Sequence, residues 1–198
     1  MQELRDKISF HCIIVGPTNC GKTQYLVEKL RGPFKSVFDF TFLICPTYVY
    51  NKTYHGFAKG DKRFIIATPK ADSEDEINQM LDHSSTLFAG TNTLIILDNC
   101  AMSKEMKKRS NKLTELAFSG RPKGLSVWVL TQQLTSIGKP FRDNVACVVA
   151  FYISNKTGMQ ILFEEYGCYL DEKTRKTFVK ILKEETLPFT KISIHMLR

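Results

Sequence analysis

Gly16-Pro17-Thr18-Asn19-Cys20-Gly21-Lys22-Thr23 fits the P-loop pattern G-x-x-x-x-G-K-(S/T) at every position. The pattern has physical content where a buried strand enters it and a helix leaves it, because backbone N–H groups then converge on a phosphate. Both flanks are present. Phe10-His11-Cys12-Ile13-Ile14-Val15 is a short, mostly apolar run of the kind expected of a central parallel strand. Leu26, Val27 and Leu30 follow at helical spacing until Gly32-Pro33 stops the pattern. All eight loop residues are therefore expected to cradle a nucleotide. Gly16 and Gly21 let the backbone turn and approach phosphate without a Cβ in the way. Lys22 is expected on the β- and γ-phosphates and the Thr23 hydroxyl on Mg²⁺. Pro17, Thr18, Asn19 and Cys20 fill the variable positions, where Cys20 reads as a small side chain rather than a redox switch.

A chain of 198 residues, 43% hydrophobic and 24% charged, suits one globular domain over 1–198 with a real core. No apolar run approaches the ~20 residues that a membrane-spanning helix needs, and the polar start Met1 to Lys7 does not resemble a secretory signal. Six cysteines without a C-x-x-C pair read as free thiols in a reducing, intracellular compartment. The four histidines show no zinc-ligand spacing. The net charge of +8 is asymmetric: residues 1–99 hold 11 Lys+Arg and 11 Asp+Glu, whereas residues 100–198 hold 17 and 9. Part of the excess lies in Lys104, Lys107, Lys108, Arg109 and Lys112, a helical stretch that reads either as a nucleic-acid contact or as a solvated face.

Further apolar runs, Thr41–Cys45, Phe64–Ala67, Leu94–Leu97, Ser126–Thr131 and Val145–Phe151, predict strands, with Lys191–His195 as an edge strand. Between them lie helical stretches at 103–118, 157–166 and 172–185, and an irregular connection is expected at 47–61. Ser73 with Glu76 predicts a capping box ahead of Ile77, Met80 and Leu81, so the acidic run 72–76 reads as a helix start rather than a metal site. Strands alternating with helices predict an α/β, mostly parallel central sheet with helices on both faces and the nucleotide at the strands' carboxyl ends. Leu94-Ile95-Ile96-Leu97-Asp98 is expected as a strand beside the P-loop strand. It would deliver Asp98 to the Mg²⁺ shell through water, the Walker B role.

The order P-loop, Asp98, Gly120-Arg121-x-x-Gly124-Leu125-Ser126-Val127, Thr131-Gln132, then Arg142-x-Asn144 and an apolar strand ending at Phe151 resembles the FtsK–HerA superfamily of DNA-pumping P-loop ATPases. Within it, the chain looks most like the poxvirus-type genome-packaging ATPases of large DNA viruses, virophages and Polinton or adintovirus elements. The resemblance covers residues 9–155; the stretch 156–198 reads as a C-terminal extension.

The resemblance implies a RecA/ASCE-like fold. It makes Gln132 a sensor that touches the γ-phosphate and orients the attacking water, and Arg121 an arginine finger supplied to a neighbouring subunit. Arg142 is a second candidate for the finger. One position departs from the family: an acidic residue usually follows the Walker B Asp, whereas Asn99 stands here. An amide cannot accept the proton, so hydrolysis is slow, or Asn99 only positions water, or another carboxylate such as Glu105 or Asp39 substitutes. The implied activity is ATP-driven translocation of double-stranded DNA into a capsid, with ATP and Mg²⁺ as cofactors. The implied partners are DNA, a homo-oligomeric ring of five or six subunits and the capsid protein, with no membrane. The implied location is host cytoplasm or nucleus, with virion association as a further option. A small P-loop phosphotransferase and a weakly hydrolysing, ATP-gated scaffold are the alternatives.

Overall fold

The structure is a computed structural model that describes residues 9–58, 61–70, 73–100, 112–153, 156–168, 170–184 and 191–195. The strands are β1 (Cys12–Val15), β2 (Phe40–Ile44), β3 (Phe64–Ala67), β4 (Thr93–Asp98), β5 (Leu125–Thr131), β6 (Cys147–Phe151) and β7 (Lys191–His195). They form one sheet in the order β3-β2-β4-β5-β1-β6-β7. All described pairings are parallel except β6 with β7. The helices are α1 (Lys22–Arg31), α2 (Lys52–Ala58), α3 (Glu74–Leu87), α4 (Lys112–Ser119), α5 (Lys139–Arg142), α6 (Lys156–Tyr166) and α7 (Glu172–Glu184).

β1, β4, β5 and β6 are buried at every position, which is why their sequences are apolar runs without alternation. The pleat still sorts their side chains. Ile13, Val15, Ile95, Leu97, Val127, Val129 and Val148 face α3, α4, α5 and α6. Cys12, Ile14, Leu94, Ile96, Trp128, Leu130 and Val149 face α1 and Tyr54 of α2. On that second face Trp128 packs against Phe10 at 5.4 Å and Phe34 at 5.2 Å between ring centroids. Pairs of this kind add about 0.5–1.5 kcal/mol each beyond the area they bury.

Three expectations are corrected. The strand bearing Asp98 is not beside the P-loop strand: β5 lies between β4 and β1. Apolar content alone cannot order strands that are all equally buried. The capping box is half formed: Ser73 accepts from the Glu76 backbone N–H at 3.4 Å, but the Glu76 carboxylate is taken by the Lys70 N–H at 2.9 Å. The connection after β2 is not irregular but a 3-10 turn, Tyr48–Tyr50, followed by α2, which places Tyr54 in the core.

His11, just before β1, is fully buried and accepts the Val127 N–H on Nδ1 at 3.2 Å. Burial, helped by the nearby Arg121 charge, lowers its pKa from 6.5 to about 4. Between those values the unfolded chain binds a proton that the folded chain does not. Stability is therefore lost as pH falls from 6.5 toward 4. The expected loss from this one group is about 3 kcal/mol. Urea unfolding at pH 7 and pH 4.5 checks it. His11→Gln should show a shallower loss than the parent, and an identical pH slope would remove His11 as the cause.

Candidate nucleotide-binding site

Because the central strands run parallel, their carboxyl ends meet on one edge, where the expected phosphate-binding residues converge. The Gly16 N–H bonds to the Thr131 carbonyl at 3.1 Å, which ties the loop to the end of β5. A Cβ on Gly16 would lie 2.6 Å from Phe151 Cβ and 2.7 Å from Cys20 Sγ, so no larger residue fits without displacing the loop. Asn19 (φ 61°) and Gly21 (φ 96°) turn through the left-handed region. Gly21 caps α1 without a side-chain partner, leaving the first-turn N–H groups to an anion.

Lys22 is 9% exposed, and its ammonium donates to the carbonyls of Gly16 at 2.8 Å and Pro17 at 2.7 Å. Among the described residues no carboxylate pairs with it. A buried cation whose oxygen partners are two carbonyls fits a site that receives phosphate. Cys20 Sγ lies 3.9 Å from the same nitrogen, filling space beside the loop.

Asp98 ends β4 at 2% exposure. Its Oδ2 accepts the Thr23 hydroxyl at 3.3 Å and the Tyr54 hydroxyl at 2.8 Å. Burial raises its pKa, and the Tyr54 and Thr23 hydroxyls and the Lys22 charge oppose that rise. A carboxylate at the end of β4 and a threonine hydroxyl at the end of the phosphate loop, in contact, are hard oxygen donors of the type Mg²⁺ prefers. Thr23 and Asp98 are thus the residues that fit the ion.

Asn99 sits in the left-handed region (φ 58°), a conformation that asparagine tolerates better than most residues. Its Nδ2 donates to Thr47 Oγ1 at 2.8 Å. With the amide nitrogen so engaged, Oδ1 is the acceptor left for a water. Neither substitute base gains support. Asp39 precedes β2, at the opposite edge of the sheet, and its carboxylate accepts the Asn92 N–H at 3.1 Å. Glu105 lies outside the described residues.

Gln132 follows β5 directly, so the strand inserted between the P-loop and Asp98 carries it to the centre of the site. It is exposed and lines a cavity of ≈ 320 Å³ with Pro17, Thr18, Leu134, Ile153 and Ile161. That volume lies within the range of small-ligand sites.

The two arginines part company. Arg121 is exposed, in the 3-10 turn before β5, and no acidic partner is found for it among the described residues. β5 has seven residues, so Arg121 lies roughly 20 Å from the Gln132 edge of its own sheet. Arg142 also precedes its strand, but its guanidinium is bound to Glu165 at 2.9 Å, with the side chains only 11% and 20% exposed. It holds α5 against α6 in the same chain. Of the expected DNA contacts, Lys112 is engaged by Asp82 at 2.7 Å and Glu115 at 2.8 Å and ties α4 to α3. Lys104, Lys107, Lys108 and Arg109 lie outside the described residues.

Tyr54 and Thr47 were not legible as site residues. They lie 44 and 52 positions from the side chains they bind, in a stretch with no motif. The local signal is a single tyrosine in the middle of a short helix, in a segment that also holds Tyr48, Tyr50 and Phe57.

The comparisons bear on the family and the fold. The family described as Poxvirus A32 protein matches residues 1–194. No curated protein matches the chain significantly. Among solved structures, the genome-packaging NTPase B204 of Sulfolobus turreted icosahedral virus 2 with sulfate superposes at TM-score 0.68 and 14% identity, covering 96% of this chain and 98% of that one. Its complex with ATP-γ-S gives 0.60 and 16% over the same shares. B204, the DNA-packaging ATPase of Sulfolobus turreted icosahedral virus, gives 0.66 and 13%, again over 96% and 98%. At such identities the likeness establishes the fold, and the family match over nearly the whole chain establishes kinship. The chain belongs to the Poxvirus A32 protein family, with a fold similar to that of the genome-packaging NTPase B204.

Proposed function

We propose that this chain hydrolyses ATP with Mg²⁺ and uses the energy to move double-stranded DNA into a capsid, acting as a homo-oligomeric ring. The observation that carries the reading is the split site. Lys22, Thr23, Asp98 and Gln132 gather at one edge of the sheet, and the unpaired Arg121 stands at the other. Lys22 and the α1 N-terminus would bind the phosphates, and Gln132 and Asn99 would orient the attacking water. Bound Mg²⁺ would neutralise charge on the β- and γ-phosphate oxygens. Arg121 cannot reach the site of its own chain, so a neighbouring copy supplies it. The B204 complex with ATP-γ-S supports the nucleotide class.

A second reading has one observation behind it. Asn99 offers no base, and its amide nitrogen is tied to Thr47, which favours slow turnover and an ATP-gated scaffold. Phosphate release measured with and without duplex DNA, across protein concentration, separates the readings. Turnover that rises with both DNA and concentration is the result expected of the motor. Tight ATP binding without turnover would replace it with the scaffold, and stimulation by a small acceptor alone with a phosphotransferase.

A further inference from the structure

We infer that Tyr54 is a positioning residue for the metal-binding pair, holding the Asp98 carboxylate in the orientation that Mg²⁺-nucleotide requires; the inference rests on the nucleotide reading above. Tyr54 is completely buried on α2, in a stretch between β2 and β3 with no recognisable motif. Phenylalanine would fill the same space, so the hydroxyl is the part of the side chain that packing does not explain. That hydroxyl donates to Asp98 Oδ2 at 2.8 Å, the same oxygen that accepts the Thr23 hydroxyl at 3.3 Å. It therefore touches one of the two side chains that fit the ion and shares that acceptor oxygen with the other.

The geometry is directional. Both hydroxyls converge on Oδ2, and Oδ1 receives neither. A carboxylate at the end of a strand is free to rotate about its last torsion; two donors on one oxygen remove that freedom. Preorganisation of this kind lowers the cost of ordering the ligand set when the ion arrives. The neighbouring Asn99 is held in the same way by Thr47, from the 3-10 approach to α2. Both residues that follow Leu97 are thus anchored to the β2–β3 connection.

The test is binding of a fluorescent N-methylanthraniloyl ATP to the full chain, titrated with Mg²⁺ and repeated in EDTA. Tyr54→Phe should raise the Mg²⁺ concentration for half-maximal enhancement of binding about ten-fold, the size expected for a hydrogen bond to a charged group. Affinity in EDTA should stay within two-fold of the parent. An unchanged Mg²⁺ midpoint would overturn the proposal, as would an equal loss of affinity in EDTA, since a merely structural tyrosine would weaken both. Should Tyr54→Phe not fold because the buried Asp98 charge loses its donor, Asp98→Asn, which removes that charge, is compared with the double variant Tyr54→Phe/Asp98→Asn. If Tyr54 acts through Asp98, the second substitution adds no further shift in the midpoint; an independent further shift would refute it. Parent protein whose nucleotide binding ignores Mg²⁺ would overturn the metal assignment and this proposal together. Absence of any nucleotide binding by the parent would instead strike the function proposed above, and Tyr54 with it.

Discussion

Arg121→Ala is expected to lower ATP turnover by about 10³–10⁵-fold while leaving nucleotide affinity close to that of the parent. The residue is exposed, unpaired among the described residues, and on the far edge of the sheet from Lys22 and Asp98. In its own chain it has no route to the phosphates. Its loss should therefore act on the site of the next subunit. Mixing tests this directly: Arg121→Ala and Lys22→Ala proteins, each inactive alone, should regain part of the activity together. At some junctions an intact Arg121 then meets an intact Lys22. Turnover near the parent rate in an Arg121→Ala protein that still assembles would remove the residue from the reaction. Arg142→Gln provides the contrast. It breaks a half-buried pair with Glu165, so its expected cost appears in melting temperature rather than in a loss that mixing restores.

Lys22→Ala is expected to lower turnover about 10²–10³-fold, the effect of removing one preorganised positive group from a transition state that concentrates negative charge. Two carbonyls, of Gly16 and Pro17, lose their donor in this variant, so the loop itself should loosen. Phosphate affinity falls for that reason as well as for the lost charge. Lys22→Met keeps most of the aliphatic stem and should reproduce the loss of turnover with a smaller change in stability. Turnover equal to the parent in both variants would show that the loop is not the site of hydrolysis.

Much of this architecture is local in origin and could be read from short stretches. The P-loop was legible because Gly16, Gly21, Lys22 and Thr23 stand at the spacing of the pattern, with strand and helix signals on either side. Phe64–Ala67 appears as a strand with the bounds its apolar run suggested, and α1 stops at Gly32, where the sequence said it would. The placing of Asp98 and Gln132 on the P-loop's edge was legible, because one ends an apolar strand, the other follows one, and strand ends in a parallel sheet share an edge.

What was misread concerns relations across the chain. The position of β5 between β1 and β4 follows from which strand pairs with which, and hydrophobicity carries no such label when every candidate is equally apolar. Arg121 and Arg142 look alike as residues that precede strands. They differ because Glu165, 23 positions away, reaches only one of them. Sequence by itself determined that this protein folds around a phosphate loop in a parallel α/β sheet, since glycine turns, helix stops and apolar runs are local properties. Only the tertiary structure decided that Tyr54 and Thr47 bond to Asp98 and Asn99, and that Arg121 stands at the edge of the sheet away from the P-loop. Those outcomes depend on distances between segments that the chain brings together only on folding.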